Sequence, residues 1–216
     1  MGNGCDELPP SDNEPRSMRD PDVRARRKAL LKEPHMRDLA KYADELRNRE
    51  GFEVPDFDPC DGGTKAQVLF LFEKPGPKTS EANGGSGFIS RNNDDPTAKN
   101  TFKFMEAAGI PRKLTVTWNV IPWWNGTRNI TAAELREGVA SVKELMKLLE
   151  EHLRAVVLVG KQSARSRYHF EDAGLAIFTS AHPARMVQNR YPKLWKAIPG
   201  EWAKVKKFIN IKKLRG

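Results

Sequence analysis

Four short apolar runs constrain this chain more than anything else in it. Val68 to Phe72, Leu114 to Val120, Ala155 to Val159 and Leu175 to Thr179 are continuous rather than alternating. That is the pattern of strands buried on both faces of a parallel sheet. Helical patterns lie between them: Thr97 to Ala108 before the second run, Thr131 to Glu151 before the third, and Gln162 to Phe170 before the fourth. In the longest of these, Thr131 and Glu134 form a capping box, and Leu135, Val139, Val142, Met146 and Leu149 make one apolar stripe. Strands alternating with helices predict an α/β chain, a three-layer α/β/α arrangement around a central, mainly parallel four-stranded sheet.

Two further helices are expected ahead of the sheet, over Val23 to Leu31 and Met36 to Arg49. Pro34 stands where the second begins and Gly51 where it stops, and Met36, Leu39, Ala40, Ala43 and Leu46 recur at helical spacing. Glu53 to Lys65 reads as a Pro/Asp/Gly loop. Met1 to Asp22 is polar and rich in Pro, Asp and Glu, so residues 1–22 are expected to be a disordered tail and residues 23–216 a single domain. No apolar run approaches the roughly 20 residues of a membrane span. The first residues also lack the layout of a secretory signal, so a cytoplasmic location is expected. Cys5 and Cys60 are the only cysteines and read as incidental thiols. The formal charge of +9 favours a polyanionic partner, with nucleic acid the natural one.

Ligands of open parallel sheets bind beyond the carboxyl ends of the strands, so the residues following each strand carry the functional information. The first strand runs into Glu73-Lys74-Pro75-Gly76-Pro77. The second carries Asn119 and continues into Ile121-Pro122-Trp123-Trp124-Asn125, and the fourth ends in Ser180-Ala181-His182-Pro183-Ala184-Arg185. A carboxylate, an amide and an imidazole therefore converge on one edge of the sheet. Singly each has an ordinary explanation, as a turn acid, a strand-end amide and a loop histidine. As an ordered set they carry more weight.

That set resembles the uracil-DNA glycosylase superfamily. Phe72-Glu73-Lys74-Pro75-Gly76 is similar to the Gly-Glu-x-Pro-Gly motif of one branch, and His182-Pro183-Ala184 to the family's His-Pro-Ser loop. Phe88, in Gly84-Gly85-Ser86-Gly87-Phe88, and Asn119 fall between them in the expected order. The resemblance implies an enzyme that flips uracil out of DNA and hydrolyses its glycosidic bond, as a monomer, leaving free uracil and an abasic site. It implies Glu73 and His182 as catalytic residues, and Phe88, Asn119, Lys74 and Gly76 around the base. Lys161, Ser163, Ala184, Arg185 and Met186 would contact DNA, Arg185 and Met186 as the wedge. An amide suits this role because it offers the donor and acceptor that the uracil edge requires. A neutral imidazole can donate to the charge developing on the departing base.

The chain departs from the family pattern at several points. Phe72 replaces the motif's first glycine, Ala184 replaces the serine, and no Asp lies between Val68 and Lys78. With two cysteines it lacks the iron-sulfur ligands of that branch, and no cofactor is expected. A slow or non-catalytic binder of uracil or abasic sites, or a glycosylase for another altered base such as hypoxanthine or mismatched thymine, are the alternatives. The segment Lys78 to Pro96 reads as a mobile loop over the pocket, with Asp94 or Asp95 as a spare acid. Trp118, Trp123 and Trp124 read as packing groups, the last two also as pocket-mouth residues. Lys204, Lys206, Lys207, Lys212, Lys213 and Arg215 read as a solvated helix face and tail.

Overall fold

The structure is a computed structural model and describes residues 4–50, 52–77 and 79–210. Its strands are β1 (Asp56–Phe57), β2 (Val68–Phe72), β3 (Phe88–Ile89), β4 (Thr115–Asn119), β5 (Ala155–Val159) and β6 (Ala176–Ser180). Its helices are α1 (Pro21–Ala29), α2 (Arg37–Glu50), α3 (Pro96–Ala107), α4 (Ala132–Leu149), α5 (Lys161–Ala164), α6 (Arg185–Arg190) and α7 (Pro192–Ala203). Four strands form one parallel sheet in the order β4-β2-β5-β6, and β1 pairs with β3 in a small separate ribbon.

The pleat explains why the strand sequences are apolar throughout. Leu69, Leu71, Val116, Trp118, Val156 and Leu158 face a core shared with α2 and α4, while Val68, Phe70, Phe72, Val157 and Val159 face one shared with α3 and α7. Alternate residues point to opposite faces, and both faces are covered. The expected three-layer α/β/α fold is therefore present. The chain leaves β2 for β4 on one side, then crosses back to β5 on the other. This reversal puts a crevice at the carboxyl end of β2, where open α/β sheets bind ligands. The Thr131–Glu134 capping box starts α4 as expected. The stretch after β5 shortens to a single helical turn followed by 3-10 turns, instead of a helix over Gln162 to Phe170.

The N-terminal segment corrects two expectations. Residues 4–20 are not an unstructured tail: they form three 3-10 turns, and Cys5, Asp12 and Met18 are buried. Cys5 is joined to Cys60 by a disulfide with Cα atoms 5.4 Å apart, so neither is a free thiol. The fully buried Arg27 guanidinium binds Asp58 at 2.8 Å and the Asp12 carbonyl at 2.7 Å. Asp58 also accepts from Arg112, Ser90 and the Cys60 N–H. Against the cost of burial, Arg112 and Arg27 hold the Asp58 carboxyl below its ordinary range. Asp61 binds Arg112 at 3.0 Å and lies 3.5 Å from Arg91. None of these long-range pairs has a local signature, which is why the sequence pattern suggests disorder.

The segment from Thr79 to Pro96 is likewise ordered rather than loose. Glu53 accepts from the Ser80 hydroxyl and the Glu81 N–H, β3 pairs with β1, and Ser90 to Asn93 are buried. Trp118 stacks on Phe57 with ring centroids 3.6 Å apart, and Trp123 is buried in the same core. Lys204 to Lys207 form a 3-10 turn after α7; Lys78, Lys212, Lys213 and Arg215 lie outside the described residues. Among the described residues no helix is long and apolar enough to cross a membrane.

Candidate functional site

A cavity of about 310 Å³ opens at the carboxyl end of β2 and β4. Its walls come from several segments, and Arg128 adds to them. The Lys74–Gly76 turn leaves β2, and Thr117 and Asn119 stand on edge strand β4. Ile89 to Asp95 lead into the first turn of α3, and His182 follows β6. The size lies at the lower end of small-molecule sites, roughly 300–1,000 Å³.

Asn119 ends β4 opposite Phe72 in the ladder and is only 4% exposed. Its Nδ2 has no hydrogen-bond partner among the described residues. Nearly all buried polar groups are paired, so an unpaired amide on a residue that lines a cavity makes that residue a candidate ligand contact. His182 lies on the same cavity, and its ring packs edge-to-face on Phe72 at a centroid distance of 5.7 Å and 89° between planes. Burial, reinforced by the Arg128 charge, lowers its pKa to about 4, so the ring is neutral at neutral pH. Asn100 on α3 donates to the Pro183 carbonyl at 3.0 Å and fixes the turn that carries His182.

Glu73 sits behind this pair. Its Oε1 accepts from the Gln162 N–H at 3.1 Å, and burial, opposed by that bond, raises its pKa. Gly160 separates Glu73 from His182. A Cβ there would lie 2.6 Å from Glu73 Oε1 and 3.2 Å from His182 Cδ2, and the backbone has φ of +95°, so only glycine fits. The carboxylate on the cavity wall is Asp95 instead. It caps α3 by accepting from the Ala98 N–H at 2.9 Å, and burial, opposed by the Ala98 and Thr97 amides, raises its pKa.

Several expected site residues stand elsewhere. Phe88 is 1% exposed and packs with Met18 and Val23 beneath α1, with Lys28 Nζ 5.4 Å from its ring centroid. Its neighbour Ile89 faces the cavity, because adjacent strand residues point opposite ways. The cavity's aromatic is Phe72, the very residue that departs from the family motif. Lys74 borders the cavity, but its ammonium is held by Glu134 at 2.7 Å and Asn125 at 2.6 Å, which ties this turn to the start of α4. Gly76 lines the cavity beside Arg128. Ser163 is fully buried and donates to the Leu71 carbonyl, so it holds no phosphate. Lys161 is exposed at the start of the four-residue α5. Trp123 and Trp124 do not line the cavity. Ala184 caps α6, and Arg185 and Met186 are exposed on its first turn, Met186 at 68%.

Known protein families and curated sequences add no match. Among the described residues no three His, Cys, Asp or Glu side chains are grouped as a metal site needs. Sequence reasoning missed Phe72, Arg91, Thr117 and Arg128 as cavity residues, and offered Asp95 only as one of two spare acids. Only Thr117 carried a signal, two residues before Asn119 and so on the same face of its strand.

Proposed function

We propose that this chain is a DNA base glycosylase that takes uracil, extruded from the duplex, into the cavity bounded by Asn119 and His182. The observation that carries the reading is the buried Asn119, its Nδ2 unpartnered among the described residues, lining the same cavity as a neutral imidazole. The amide donates to uracil O4 and accepts from N3–H, a pattern that cytosine reverses. Phe72 supplies the apolar surface against which the base rests.

In the reaction the bond between the sugar C1′ and uracil N1 breaks, and its electron pair moves onto the base. His182, kept neutral, donates a hydrogen bond to O2 as that charge grows. The sugar becomes cationic, a water oxygen bonds to C1′ and passes its proton by way of Asp95 to solvent, and the released uracil anion takes up a proton from solvent. Asp95, the carboxylate on the cavity wall, orients this water and offsets the sugar charge. Glu73 acts from behind as a positioning residue for the Gly160–His182 contact. Arg185 and Met186, exposed three and four residues beyond His182, are suited to phosphate contact and to filling the vacated stack. The charge of +9 favours the polyanionic substrate.

Incubation with an end-labelled oligonucleotide carrying one uracil, then alkali, tests the proposal. Breakage at uracil and not at a matched cytosine is expected. Intact uracil DNA under protein excess contradicts turnover, and tight retention of that DNA then favours a binding module.

A further inference from the structure

The chain's charge is segregated along its length. Of its 37 Lys and Arg and 28 Asp and Glu, residues 174–216 hold ten basic residues and one acid, Glu201, which accounts for the whole net charge of +9. The first 173 residues are balanced, 27 against 27. Surfaces of soluble domains intersperse both signs, and the first part of the chain does so: Arg26, Lys28, Arg47, Lys113 and Arg167 each pair with a carboxylate. The last part does not. All seven of its described cations, from Arg185 to Lys207, are exposed, and among the described residues none of them forms an ion pair.

Helix α7 arranges this charge. Trp195, Ile198, Trp202 and the following Val205 form its inner stripe, with Trp195 packed edge-on to Phe104 and Trp202 to Phe70. Lys193, Lys196, Gly200 and Lys204 recur at intervals of three and four on the opposite side. A Cβ on Gly200 would meet nothing, so the middle of this ridge is open. Like charges at such spacing destabilise a helix, a cost that a polyanion lying on the ridge removes. At 1.5 Å per residue the ridge from Lys193 to Lys204 is about 16 Å long, the length of about five nucleotides of one DNA strand at 3.4 Å each. The helix follows α6, which starts three residues beyond His182. At the corner between the two helices Arg190 lies 5.7 Å from the centroid of the exposed Tyr191 ring.

We propose that the ridge of Lys193, Lys196 and Lys204 is a second contact surface for DNA, which holds phosphates of the duplex flanking the extruded nucleotide and reads no base. The choice of DNA rests on the base-glycosylase reading; the ridge itself requires only a polyanion of regular charge spacing. Each phosphate neutralised releases condensed counterions, so the ridge sets affinity and its salt dependence rather than base selectivity.

Binding of a labelled duplex of about 30 base pairs without uracil, followed by fluorescence anisotropy between about 50 and 200 mM salt, tests the surface. The full chain is compared with Lys193→Gln/Lys196→Gln/Lys204→Gln and with Lys65→Gln/Lys143→Gln/Lys147→Gln, an equal change of charge at exposed lysines on other elements. The ridge variant should flatten the slope of log affinity against log salt by about 2.7, at about 0.9 per duplex phosphate, and the control should leave it nearly unmoved. Equal shifts in the two variants, or an unmoved slope in the ridge variant, overturn the proposal. Tighter binding of wild type to vesicles of anionic lipid than to duplex overturns it in favour of a membrane surface. Uracil excision by wild type beside an unmoved slope leaves the glycosylase reading standing without the ridge. A flattened slope with no excision supports the ridge and overturns that reading.

Discussion

Replacing His182 with glutamine should flatten part of the acid dependence of stability. Burial and Arg128 bring the imidazole from its ordinary 6.5 to about 4 in the folded chain. The unfolded chain therefore takes up a proton first as pH falls below 6.5, and folding is penalised progressively until the folded ring also protonates near 4. The penalty is absent above pH 6.5. At about 1.36 kcal/mol per pH unit, wild type should lose about 2 kcal/mol by pH 5 and about 3 kcal/mol by pH 4 from this group alone. Other titrating groups, Asp58 and Glu73 among them, are common to both proteins and cancel in the comparison. Urea unfolding at pH 7 and pH 5 measures the difference. With a slope of about 1–3 kcal/mol per molar urea, wild type should lose on the order of 1 M more midpoint than His182→Gln. Equal losses would refute a half-buried imidazole held neutral. The same ring state requires that excision by wild type persist at pH 5, because the hydrogen-bond donor stays neutral there.

Three further outcomes follow from the geometry. Asp95→Asn should cut excision about a hundredfold while leaving the melting temperature nearly unchanged, since asparagine also caps a helix; an equally active variant would remove Asp95 from the reaction. Asn119→Asp should relax or shift the discrimination between uracil and cytosine, read from paired oligonucleotides, and unchanged discrimination would unseat Asn119 as the reader. Cys5→Ser frees a loop spanning 55 positions. It should cost up to about 4 kcal/mol in urea unfolding, and a dithiol reductant should lower the wild-type midpoint while leaving that of the variant unmoved.

The sheet was legible because its strands are buried on both faces, which writes an unbroken apolar run into the sequence. The cap of α4 was legible because it is made by two residues three apart. Asn119 and His182 were found because strand ends in this architecture face a common crevice. Phe88 was misassigned because alternation says that neighbours in a strand face opposite ways, not which of them faces the cavity. Lys74 does border the cavity, but the pairing of its ammonium was not legible because its partner, Glu134, lies sixty positions on. The fold of residues 4–20 was illegible for the same reason. It depends on Cys60, Arg27 and Asn92, none of them local, and its own composition is that of a disordered segment.

Release of free uracil, measured by chromatography under protein excess from an oligonucleotide with one uracil, tests the central claim most directly when wild type and Asn119→Ala are compared. Wild type should release one uracil per oligonucleotide and leave an abasic site, and the variant should release far less. Bound oligonucleotide with no free uracil, or equal release by the two proteins, would contradict a glycosylase that reads its base through Asn119.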